Sequence, residues 1–190
     1  LKLQLSIDTR IPSRLYGDDV RLRQIMVNLL NNAVKYTEKG YVSFMVKLDE
    51  ASSDEISTDE VVGENAEINK KEQSGSSVRI KVIVADSGIG IRKEDMEKLF
   101  MDYARIDEEK NRNIEGTGLG MSITRQLLDM MGSKLEVEST YGKGSVFSFV
   151  VEQKITDASP IGNLEARIRE QASGYSYEAS FYAPEASVLL

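Results

Sequence analysis

An α/β fold, a two-layer sandwich of one mixed β-sheet with helices on one face, is what this sequence predicts, on three observations. Its elements run strand, helix, strand, strand, helix, strand, strand, which is not the strict alternation of a doubly wound parallel sheet. Residues 78–85 (VRIKVIVA) are rich in β-branched side chains, the mark of a central strand. Two longer segments, 19–36 and 118–131, carry apolar residues at helical spacing.

Taken in order, residues 2–8 alternate Leu3, Leu5 and Ile7 with polar neighbours, a half-buried strand that Pro12 ends. Asp18 or Asp19 caps the first helix, whose buried stripe is Leu22, Ile25, Met26, Leu29 and Ala33. Gly40 closes the turn into a strand at 41–48. Residues 49–77, rich in Ser, Glu and Asp and without an aromatic, read as a flexible hairpin insertion ahead of the central strand. A glycine-bearing turn, a short helix at 93–99 and a charged stretch at 103–115 follow. Gly118 opens the second long helix, with Leu119, Ile123, Leu127 and Met130 expected inward. Strands at 134–139 and 145–153, turned at Gly142 and Gly144, complete a domain of residues 1–154. Residues 155–190 are expected to be a linker with a short helix at 163–171, Leu164 and Ile168 on one side.

Composition narrows the chemistry. The chain has 190 residues, 41% hydrophobic and 29% charged, enough to bury a proper core. It has no cysteine and no histidine, which removes disulfides, thiolate sites, catalytic triads, imidazole bases and the commonest zinc ligands. Carboxylates, amides, lysines and backbone groups must do the work. The net charge of −7 is carried entirely by residues 49–77, and the remainder is neutral, so no surface field selects a basic partner. No apolar run approaches the ~20 residues of a membrane span. A start at Leu1 rather than Met is expected of a piece of a longer protein.

Three clusters could carry function. Gln24, Asn28, Asn32 and Lys35 share one helical stripe, suited to a hard cation and phosphates, or simply to solvent. Asp86-Ser87-Gly88-Ile89-Gly90-Ile91 follows the central strand; its carboxylate can accept from an exocyclic amine, and the same residues also make an ordinary turn. Gly116-Thr117-Gly118-Leu119-Gly120 enters a helix and leaves N–H groups for a phosphate, or serves as a hinge. It lacks the ending of a Walker A loop.

In their order along the chain, the three clusters resemble the Bergerat ATP-binding fold, and more narrowly the catalytic, ATP-binding domain of sensor histidine kinases. The segments DDVRLRQIMVNLLNNAVKYT, DSGIGI and GTGLGMSI are similar to that family's asparagine and glycine boxes. Leu99-Phe100 with Tyr103 and Arg105-Ile106-Asp107 resembles its phenylalanine box, with Met101-Asp102 departing from it. The resemblance covers about residues 1–153.

It implies ATP and Mg²⁺ as cofactors, with Asn28 as the metal ligand. Asn32 and Lys35 then contact phosphates, Tyr36 packs on adenine, and Asp86 accepts from its amino group in a pocket shaped by Gly88, Gly90 and Ile91. Residues 103–115 fall at the family's ATP lid, with Arg105 and Arg112 as candidates for reaching the γ-phosphate. Gly116, Thr117, Gly118, Leu119 and Gly120 form its phosphate-binding end. Gln24 stands where related ATPases carry a glutamate that activates water, and an amide accepts no proton, so fast hydrolysis is not expected.

The implied function is γ-phosphate transfer to a histidine on a dimerisation domain outside this chain, in two-component signalling. A catalytically silent ATP-binding module of the same fold is the alternative. Residues 180–190 resemble the lead-in to a receiver domain, with a terminus lacking structure as the other reading. The expected partners are that dimerisation domain and a downstream receiver domain, with no nucleic acid and no membrane contact. The expected location is cytoplasmic, with membrane anchoring of a parent protein left open.

Overall fold

The computed structural model describes residues 1–49, 76–101 and 118–174. Six strands form one mixed sheet: β1 (Lys2–Ile7), β2 (Pro12–Tyr16), β3 (Tyr41–Leu48), β4 (Ser77–Asp86), β5 (Glu136–Thr140) and β6 (Gly144–Pro160). Among the described residues three α-helices accompany it: α1 (Asp19–Lys35), α2 (Gly120–Met130) and α3 (Leu164–Gly174). The strand order is β1-β3-β4-β6-β2, with β5 also on β6. Only β1 with β3 is parallel.

Alternation on β4 explains why it is central. Ile80, Val82 and Val84 are buried on one face, opposite Val151, Phe149 and Phe147 of β6. Against this face packs α1, whose Ile25, Leu29 and Ala33 are buried, with Leu22 and Met26 partly so, as the spacing requires. Burying each of the two larger side chains contributes about 1.5–3 kcal/mol. Asp18 starts α1, its carboxylate accepting from the Arg21 N–H at 2.9 Å.

Four expectations are corrected. Pro12 does not end strand structure but begins β2, whose antiparallel pairing with β6 runs from Pro12 opposite Pro160 to Tyr16 opposite Lys154. Proline is tolerated at the first residue of such an edge strand because its missing N–H faces no partner. The short helix at 93–99 is instead two 3-10 turns, Lys93–Asp95 and Lys98–Phe100.

The inward face of α2 differs from the one its apolar spacing predicts. Met121, Ser122, Thr124 and Leu128 are buried, whereas Ile123 and Met130 are exposed and Leu127 is intermediate. Small hydroxyl side chains can face a neighbouring helix once their polar atoms are bonded, which an apolar stripe does not reveal. Finally, the strand expected to stop at Gln153 continues to Pro160. Residues 155–160, expected in the linker, therefore pair with β2. The short C-terminal helix is present as α3, lying against β1 with Glu165 Oε1 accepting from the Ile7 N–H at 2.8 Å. Residues 50–75, 102–117 and 175–190, which hold most of the acidic insertion, the expected lid and the expected receiver lead-in, lie outside the described residues.

Candidate functional site

The three clusters, spread over nearly a hundred residues, meet on α1. Toward its C-terminus, Tyr36 caps the helix, its N–H reaching the Asn32 carbonyl at 3.0 Å, and its own carbonyl accepts from the Ile89 N–H at 3.2 Å. That bond docks the Asp86–Ile91 loop against α1. Midway along α1, Asn28 Nδ2 donates to the Gly120 carbonyl and to Thr124 Oγ1, both at 2.7 Å. One turn further, Asn32 Nδ2 donates to Met121 Sδ at 3.2 Å. Asn28 and Asn32 therefore both face α2, while Lys35 Nζ lies 5.2 Å from the centre of the Tyr36 ring.

Asp86 ends β4 and is 7% exposed. Burial pushes its carboxyl above the ordinary aspartate range, against the pull of the Gly88 and Ser145 N–H groups and the Thr37 hydroxyl. One carboxylate oxygen accepts the Gly88 N–H at 2.8 Å. Gly90 has φ +65° and would drive a Cβ into the Thr140 backbone, so only glycine lets the loop close on the β5–β6 turn. The closure is hydrogen-bonded as well: Gly142 N–H reaches the Ile89 carbonyl at 2.7 Å, and Ile91 N–H reaches Ser139 Oγ at 2.7 Å. Ile91 is buried with the core.

Leu119 precedes α2, and its carbonyl accepts from the Ile123 N–H and from Ser122 Oγ, each at 3.0 Å. Gly118 has a left-handed φ of +73°. A Cβ on Gly120 would collide with the Asn28 amide, so the glycine gives that side chain its place. Gln24 is exposed and shares with Asn28, Asn31, Gly120 and Thr124 a cleft between α1 and α2. Arg105, Arg112, Gly116 and Thr117 lie outside the described residues.

Three further residues belong to this site and were not anticipated. Thr37 is 2% exposed and sets its buried hydroxyl beside the Asp86 carboxylate. Ser145 is buried opposite Asp86 across β4 and β6. Thr124 is 1% exposed against Asn28. The burial and contacts of all three depend on what folds against them rather than on any motif. Among the described residues no group of three or more His, Cys, Asp and Glu could hold a metal.

Comparison with known proteins bears on the family and the fold. Residues 17–155 match the family described as histidine kinase-, DNA gyrase B-, and HSP90-like ATPase. The chain is 38% identical over 166 residues to hybrid signal transduction histidine kinase B of Dictyostelium discoideum, covering 87% of this chain and 7% of that protein. It is 37% identical over 158 residues to histidine kinase 5 of Arabidopsis thaliana, covering 82% of this chain and 17% of that one. It thus spans a small part of these relatives. Full-length ShkA, solved in complex with AMPPNP, superposes with a TM-score of 0.59 at 23% identity over 82% of this chain and 26% of its own. The catalytic domain of histidine kinase ThkA gives 0.50 at 25% identity over 80% of each chain.

Proposed function

The chain belongs to the histidine kinase-, DNA gyrase B-, and HSP90-like ATPase family, and we propose that it binds ATP with Mg²⁺ and presents the γ-phosphate to a histidine on a dimerisation domain. The observation that carries this reading is the meeting of a buried acceptor, a helix start and a stripe of amides on α1. It brings groups suited to a base and groups suited to phosphates into one site.

The residues fit both ligands. Asp86 has one oxygen tied to Gly88 and retains acceptor capacity for an exocyclic amine. Tyr36 and Ile91 are the flanking groups assigned to the ring, with Gly88 and Gly90 holding the loop close. At the other end, Gly118, Leu119 and Gly120 lead into an 11-residue helix whose first N–H groups and dipole favour a phosphate. Lys35 adds a positive charge, and Asn32 is assigned to the same phosphates. Asn28 spends its amide nitrogen on α2, which leaves its carbonyl oxygen, the hard donor that Mg²⁺ takes. Bound there, the cation would neutralise charge on the phosphates.

Positioning and charge neutralisation are what phosphoryl transfer asks of these residues. Gln24 beside Asn28 carries no group able to take a proton from water, so the bound nucleotide is kept for an incoming nucleophile. This chain has no histidine, and the acceptor must therefore be supplied by another domain. Arg105 and Arg112 are the proposed cations of the lid, and Gly116 and Thr117 its phosphate-binding end. The hybrid relatives support a receiver domain as the next acceptor, in a two-component phosphorelay.

Incubating the chain with labelled ATP and a purified dimerisation domain tests the proposal. Acid-labile, base-stable phosphate on that domain is the expected result. Nucleotide binding without any transfer would contradict it.

A further inference from the structure

Asn28 has an amide that can point either way, and the fold removes the choice. A backbone carbonyl only accepts hydrogen bonds, so the atom 2.7 Å from the Gly120 carbonyl must be nitrogen. Turned around, the amide would set oxygen against oxygen. Thr124 supplies a second contact rather than a second vote on orientation: its Oγ1 accepts from the same nitrogen at 2.7 Å and holds in place the amide that the Gly120 carbonyl has oriented. It lies one helical turn beyond Gly120 and is 1% exposed, so this hydroxyl does not exchange its partner for water. Ser122, the other buried hydroxyl on α2, is committed to the Leu119 carbonyl and is no substitute.

We infer that Thr124 is the positioning residue for Asn28: it holds the amide nitrogen on α2 and thereby aims the carbonyl oxygen at a Mg²⁺-nucleotide. The inference rests on the assignment of Asn28 as the cation ligand. It goes beyond that assignment by naming what keeps the ligand's donor atom outward. With both bonds made, the amide is preorganised and ordering costs less when the cation arrives. With only the Gly120 carbonyl left, the side chain can swing about that single contact.

The test compares ATP affinity in Mg²⁺ with ATP affinity in EDTA, using inosine-free ATP and calorimetry on the chain itself. In Thr124→Val, a near-isosteric change, the ratio of the two affinities should fall about tenfold, the scale of a lost outer-shell partner. Affinity in EDTA should stay as in the unmodified chain, and Thr124→Ser should restore the ratio. If the valine variant does not fold, Thr124→Ala removes the same hydroxyl and is read by the same ratio. An unchanged ratio, or equal losses in Mg²⁺ and EDTA, would overturn the inference, since a merely structural contact lowers both affinities together. Asn28→Ala separates the two levels. If it loses the Mg²⁺ dependence while Thr124→Val keeps it, Thr124 alone is misassigned; if it too keeps the dependence, the metal assignment fails.

Discussion

Asp86 is asked to do two conflicting things, to sit in the interior and to remain an acceptor. Desolvation raises its pKa, and the Gly88 and Ser145 N–H groups with the Thr37 hydroxyl work against that rise. Because the folded-state value lies above the unfolded one, the ionised carboxyl costs the fold stability at neutral pH, a cost that begins to be relieved as pH falls through the folded value and is gone only below the unfolded one. The base recognition proposed for Asp86 runs in the opposite direction, since a protonated oxygen is no longer an acceptor for the amine. ATP affinity should therefore fall on acidification, with a midpoint above that of an ordinary aspartate, when followed by calorimetry across pH. A profile flat down to the usual aspartate range would contradict this role. The motif residues were legible because their types are restricted by chemistry. Thr37, Ser145 and Thr124 were not, because a buried hydroxyl is recognised only by what folds against it.

Among the elements, α1 carries the most weight, linking the core to every part of the site. Leu29 is fully buried between Ile25 and Ala33, one residue after Asn28. Leu29→Ala should cost about 2–5 kcal/mol in denaturant unfolding. Asp18→Ala, which removes the cap on Arg21 N–H, should cost only about 1 kcal/mol and leave nucleotide affinity unchanged. A larger cost at the cap than at the core would contradict the packing described. The apolar stripe of α1 could be read from spacing because its buried positions are all apolar. On α2 the same rule misled, since Ser122 and Thr124 occupy buried positions with bonded hydroxyls while Met130 is 65% exposed. Periodicity reports hydrophobicity, and burial here follows hydrogen bonding as well.

For the molecule as a whole, β6 is the organising strand, bonded to β4 along one side and to both β5 and β2 along the other. The fold class was legible because its strongest strand and its two long helices announce themselves locally. The reach of β6 to Pro160 was not, because residues 154–160 are mostly polar and end on a proline, and they extend the strand by pairing with β2. The Ile161 N–H then reaches the Ile11 carbonyl at 2.7 Å, and Glu165 reaches the Ile7 N–H, so both ends of the described fold close on each other. A chain shortened after residue 154 should melt about 5–10 °C lower for the lost pairing. The nucleotide site proposed on α1, β4 and α2 should keep its affinity; an unchanged melting temperature would contradict the closure. Among the described residues no helix is long and apolar enough to cross a membrane.

The proposed function requires one site for an adenine nucleotide, with the base at Asp86 and the phosphates between α1 and α2. Calorimetric titration of the chain with ATP and with GTP, both in Mg²⁺, tests it most directly. A 6-oxo purine sets an acceptor against the Asp86 acceptor, so ATP should bind at least about tenfold more tightly. Asp86→Asn should erase most of that preference. Equal affinities for ATP and GTP in the unmodified chain would contradict the account.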